Sequence, residues 1–163
     1  MKKQIRAGVF ETNSSSVHSI VFNRSFLEPN KMPMKDGYIQ VPFGVFDCSG
    51  KFTTQSEKLS YIVTSLWYAE GYPDVDDMYD SYAWSLLEEA MIHYVDGCKG
   101  VRIKGKVKNV NDDDFYLGYG EAPYIDHQSI PSSIDDMIVD VYSENSIIDF
   151  VFNPNVWLEC SRD

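Results

Sequence analysis

Cysteine and histidine are both scarce in this chain. Cys48, Cys98 and Cys160 are widely spaced, and no Cys-x-x-Cys occurs. An odd, scattered set argues against a disulfide framework and a cysteine zinc site and points to a reducing cytoplasm. Only His18, His93 and His127 represent histidine, with no metal-ligand spacing among them. No metal site is assigned, although carboxylates such as Glu11 and Asp126 suit magnesium held through water. No apolar run approaches the roughly 18 residues of a membrane span. The opening MKKQIRAGVFETNSSS is basic but lacks a continuous apolar stretch, so it does not read as a signal peptide.

The marked cofactor and hydrolase motifs are also missing. Gly44 to Lys51 resembles a phosphate-binding loop but has one residue too many, and Phe52 stands where the magnesium-binding Ser or Thr belongs. Gly118-Tyr119-Gly120 lacks its third glycine, since Pro123 occupies that place. There is no Gly-x-Ser-x-Gly, Ser-x-x-Lys or His-Glu-x-x-His. No cofactor is expected.

Positive charge is absent from two long stretches. Residues 59–98 hold eight acidic residues and no Lys or Arg, and residues 109–161 hold eleven acidic residues and none. Between them, residues 99–108 carry Lys99, Arg102, Lys104, Lys106 and Lys108. The whole chain of 163 residues has a formal net charge of −11. A field of that sign repels acidic membrane surfaces and free nucleic acid, so no free DNA binding is expected, and it attracts basic protein grooves built to hold DNA or RNA. Solubility alone explains the same charge.

What is present is material for a core: 44% apolar residues and 14% aromatics. The length fits one domain, residues 1–163. Gln4 to Phe10 reads as an extended piece, and Val17 to Phe22 as a strand. Residues 28–37 read as loop. Tyr38 to Phe46 reads as a second strand, edged or bulged at Pro42. Thr54-Gln55-Ser56-Glu57 is a capping box opening a helix over 54–70, with Leu59, Ile62, Val63 and Leu66 on its apolar face. A second helix is expected from Asp76 to Val95, its inner face marked by Tyr79, Tyr82, Ala83, Leu86 and Ala90, with His93 packed near it. Val101 to Val110 alternates, which predicts a strand with a basic outer face. A short helix is expected over 134–142, and strands over 146–152 and 156–160 around Asn153-Pro154-Asn155. The fold class expected is α+β: one domain, a mostly antiparallel sheet, two longer helices and one short one.

Two polar clusters carry candidate chemistry. In Glu11-Thr12-Asn13-Ser14-Ser15-Ser16 with His18-Ser19, small hydroxyl and amide groups suit an anion-binding nest. Glu11 and His18 are able to move protons near neutral pH. In Asp126-His127-Gln128-Ser129 the Asp would fix the imidazole tautomer. Together they suggest Glu11, Ser14, His18, Asp126 and His127 as a catalytic set for phosphodiester cleavage. The competing reading is turns built by side chains folded back on the backbone.

Other features suggest binding. Arg102, Lys104, Lys106 and Lys108 suit phosphate contacts, or alternatively a lysine-guarded sheet edge. Asp74, Asp76, Asp77 and Asp80, and Asp112, Asp113 and Asp114, are interleaved with Tyr72, Tyr79, Phe115, Tyr116 and Tyr119. Such surfaces suit docking on a basic protein groove, because Tyr supplies contact area at low entropy cost; Tyr116 is the aromatic singled out with the aspartates. The competing reading is a helix cap and a solvated loop.

The stretch Arg6-x-Gly8-Val9-Phe10-Glu11-Thr12-Asn13-Ser14-Ser15-Ser16-x-His18-Ser19 resembles an N-terminal signature of small proteins of bacteria, their phages and mobile elements. Tyr124-Ile125-Asp126-His127-Gln128-Ser129 resembles a second segment of that group. The resemblance implies a setting in which small acidic proteins block host nucleases, as anti-CRISPR and anti-restriction proteins do. It implies that Glu11, Asn13, Ser14, His18, Asp126 and His127 form a site. The expected function is therefore anti-defence binding of an RNA–protein effector complex, with a small phosphodiesterase or ribonuclease acting on guide RNA as the alternative.

Overall fold

The computed structural model describes residues 16–21, 26–46, 50–70, 75–104, 124–125 and 144–162. In chain order these form β1 (Ser16–Val21), β2 (Met34–Lys35), β3 (Tyr38–Val41), β4 (Val45–Phe46) and β5 (Gly50–Phe52). Then come α1 (Gln55–Glu70), α2 (Val75–Tyr79), α3 (Tyr82–Tyr94), β6 (Gly100–Ile103), β7 (Tyr124–Ile125), α4 (Glu144–Phe152) and β8 (Trp157–Arg162). The class is α+β, as the sequence leads one to expect. Three sheets form, ordered β1-β8-β5, β2-β3-β6 and β4-β7. The first is antiparallel throughout, whereas β3 pairs β6 and β4 pairs β7 in parallel.

Helix α1 begins where the capping box places it. The Thr54 hydroxyl accepts from the Glu57 N–H at 3.2 Å, and the Glu57 carboxylate accepts from the Thr54 N–H at 2.9 Å. From Lys58 to Trp67, however, every side chain is buried. Leu59, Tyr61, Ile62, Val63, Leu66 and Trp67 are buried, and so are Gln55, Lys58, Ser60, Thr64 and Ser65. The helix is surrounded, packing against α4, β3 and β7.

Four expectations are corrected. Residues 28–37 are not all loop, because Asp36 and Gly37 adopt φ of 55° and 89° and turn β2 into β3 as a tight hairpin. The helix expected over 76–95 is two helices. Ser81 lies in extended backbone and its hydroxyl caps the Trp84 N–H at 3.1 Å, so α3 starts afresh. Its inner face is Trp84, Leu87, Ala90 and Met91, while Tyr82 is 78% exposed and His93 also faces outward. Finally, residues 146–152 are helical. Ile147, Phe150 and Val151 bury at helical spacing, which outweighs the strand preference of their β-branched and aromatic side chains. Pro42 divides the strand expected over 38–46 into β3 and β4. The helix expected over 134–142 and the extended piece over 4–10 lie outside the described residues.

Candidate functional site

The α2–α3 corner carries the acidic face. Asp76 and Asp77 occupy the first turn of α2, where carboxylates suit the positive end of the helix dipole. Asp80 follows in the turn before α3. All three are exposed. Met78 and Trp84 are buried and hold this corner to the core. The exposed face continues along α3 through Tyr82, Ser85, Glu89 and Ile92, successive positions three or four apart. Asp74, Asp112, Asp113, Asp114 and Tyr116 lie outside the described residues.

Tyr79 does not join that face. Its ring lies 4.8 Å from that of Trp84, and its hydroxyl accepts the Ile103 N–H at 3.0 Å. Burial raises its pKa, with the Ile103 hydrogen bond and the Arg102 charge pulling the other way. Glu88 works in parallel: its carboxylate accepts the Val101 N–H at 3.0 Å and Arg102 Nη1 at 2.9 Å. Side chains from two helices thus cap the N–H groups that β6 turns away from β3.

This changes the reading of the basic strand. Arg102 is not a freely solvated cation. Nη1 also donates to the Val101 carbonyl at 2.8 Å, and the guanidinium lies 4.4 Å from the Tyr38 ring and 5.3 Å from the Tyr79 ring. Its side chain retains 42% exposure. Lys104 is exposed, while Lys106 and Lys108 lie outside the described residues.

Of the polar segments, Glu11, Ser14, Asp126 and His127 lie outside the described residues. Backbone register nevertheless relates their neighbours. His18 in β1 stands opposite Cys160 in β8, and Cys160 stands opposite Gly50 in β5. Residues 47–49 alone separate β5 from β4, whose Phe46 stands opposite Ile125 in β7, the residue before Asp126. The Phe46 and Phe52 rings lie 5.0 Å apart, so β4 and β5 are held together.

Sequence reading missed Lys58. It is 1% exposed, and its ammonium donates to the carbonyls of Asn153 at 2.9 Å and Val156 at 3.1 Å. Burial pushes its pKa down to about 8, against the opposing pull of Asp149 and Glu28. Only the absence of an outer face on α1 would have revealed it.

Among the described residues no helix is long and apolar enough to cross a membrane. No family model, curated protein or solved structure matches the chain.

Proposed function

We propose that this chain is an anti-defence protein of the phage or mobile-element type, acting in the bacterial cytoplasm. It binds a basic groove of an RNA–protein effector complex through acidic, aromatic surfaces. The observation that carries the reading is the α2–α3 face. Asp76, Asp77, Asp80, Tyr82 and Glu89 are exposed along it, within a 59–98 stretch that contains no Lys or Arg. The aspartates supply long-range steering toward a positive groove, and Tyr82 supplies an amphipathic anchor.

The test mixes purified protein with a CRISPR effector and its labelled guide RNA and resolves complex from free components. A stoichiometric complex with intact RNA is expected. Replacing Asp76, Asp77 and Asp80 together with Asn should weaken it at least tenfold and flatten its salt dependence, chiefly by slowing association. Unchanged binding by the triple variant would overturn the reading.

A second reading is a small phosphodiesterase using Glu11, Ser14, His18, Asp126 and His127. The register favours it, because β1 begins at Ser16, the last residue of the first polar run, and β7 ends at Ile125, the residue before Asp126. Expected is guide RNA shortened in the same mixture, with cleavage reduced at least tenfold in His18→Ala and in His127→Ala, the scale of general acid–base catalysis. Full turnover in both variants would remove it.

A further inference from the structure

The β2-β3-β6 sheet has two unlike faces. Ile39, Val41 and Val101 are buried on one side, with Met34 and Ile103 in the same rows. Pairing puts Lys35, Tyr38, Gln40 and Arg102 on the other side, and Lys104 continues the alternation beyond β6. Lys99, in the loop before β6, lies against the β2–β3 turn. Its N–H donates to the Gly37 carbonyl at 2.8 Å, and its methylenes lie 3.0–3.1 Å from where a Cβ on Gly37 would sit. Lys35, Lys99 and Lys104 are exposed. Three exposed lysines therefore lie around the Arg102–Glu88 pair, in a chain whose net charge is −11.

Edge protection does not account for them. Lysines commonly guard an open strand edge. Here the outward N–H groups of Val101 and Ile103 are already taken by Glu88 and Tyr79. Lys35 projects from the face of the sheet beside Tyr38 and the partly exposed Arg102, whose guanidinium lies 4.4 Å from the Tyr38 ring and is ion-paired to Glu88. Flat aromatic and guanidinium surfaces among cations suit unpaired bases and their phosphates better than they suit acidic peptides, which offer no rings to stack.

We infer that this face contacts single-stranded RNA, with Lys35, Lys99 and Lys104 on phosphates and the Tyr38–Arg102 stack against a base. The inference rests on the proposed binding of an RNA-carrying effector and names its second contact: the acidic helices meet protein while the basic sheet meets the guide. The net charge keeps affinity for free strands low. Glu88 neutralises Arg102 within the patch, so Lys35, Lys99 and Lys104 supply the local attraction, while salt screens the more distant carboxylates.

The probe is a fluorescein-labelled 12-nucleotide single-stranded RNA, titrated with the full chain by anisotropy at 50 mM salt and above. Binding that weakens with salt is expected. The Lys35→Glu, Lys99→Glu, Lys104→Glu triple variant should lose at least tenfold in affinity. The corresponding Gln variant should lower the log–log salt slope by about 2, since each phosphate contact on a single strand contributes about 0.7. Both variants should keep the parent circular dichroism spectrum, because all three side chains are exposed. No binding at 50 mM salt, or unchanged affinity in both variants, overturns the inference. So does capture of a labelled polyglutamate peptide in preference to the RNA. Failure here with the effector complex intact removes only this contact. Failure of the unmodified chain to form the effector complex, with RNA binding retained, removes only the acidic-face reading.

Discussion

Replacing Lys58 with alanine should lower stability by about 3 kcal/mol. The deletion strips the donor from the Val156 carbonyl, leaves a cavity the length of the lysine stem, and removes the cation that Asp149 and Glu28 face. In a domain of this size that corresponds to roughly 6–12 °C in the melting midpoint. Lys58→Met should cost less, because it keeps most of the stem volume and buries no charge. The pH dependence separates charge from packing. The folded-state pKa is about 8, below the ordinary lysine value of 10.5. Between those values the unfolded chain holds the proton and the folded chain does not, so unfolding takes up a proton and stability rises with pH. Below pH 8 both states are protonated and this group adds no slope. Burial raises the pKa values of Tyr79 and Tyr94, and those tyrosines work the other way above pH 10. The measurement is therefore the difference between wild type and Lys58→Met in urea midpoint across pH 7–10. A gap that shifts in favour of wild type as pH rises is expected; a constant gap would refute the buried-cation account.

Lys58 also marks what one sequence makes legible. Helix α1 was readable because its cap is local: Thr54 and Glu57 are three residues apart, and Gly71-Tyr72-Pro73 follows. The partners of Lys58 lie 95 and 98 positions away, so no neighbour in sequence names them. Glu88 is similar. Its carboxylate serves backbone and guanidinium groups 13 and 14 residues on, and only tertiary packing brings them together. The β2–β3 hairpin is a different case. Asp36-Gly37 is a strong local turn signal, but the two prolines and polar residues before it make the segment read as loop. For α4 the local composition pointed to a strand and the period pointed to a helix, and burial on one face followed the period. The same division holds for the candidate sites. Exposure of Asp76, Asp77 and Asp80 was legible from an acidic run at a helix start. The commitment of Arg102 and Tyr79 to the sheet edge was not, because it needs the β3–β6 pairing first.

Gly44→Ala is expected to cost about 3 kcal/mol, and the path of that loss bears on function. Gly44 presses against α1. Its N–H donates to Thr64 Oγ1 at 2.9 Å, and that hydroxyl donates to the Ser60 carbonyl at 2.7 Å. A Cβ at this position would lie 2.6 Å from Cζ of Phe46 and 2.8 Å from Oγ of Ser60. The Phe46 ring is buried, with Phe52 at 5.0 Å and Tyr61 at 5.1 Å edge-on, so it has little room to give. Relief requires lifting residue 44 from the helix, which breaks its hydrogen bond and adds to the overpacking cost. The displaced backbone leads directly into β4, and β4 holds β7 at the threshold of Asp126-His127. The substitution thus separates the two functional readings in a single protein. If the acidic α2–α3 face is the working surface, Gly44→Ala that remains folded at low temperature should bind the effector complex within about twofold of wild type. If Asp126 and His127 cut RNA, the same preparation should lose cleavage at least tenfold while its acidic face is untouched. A melting midpoint equal to wild type would contradict the packing argument itself.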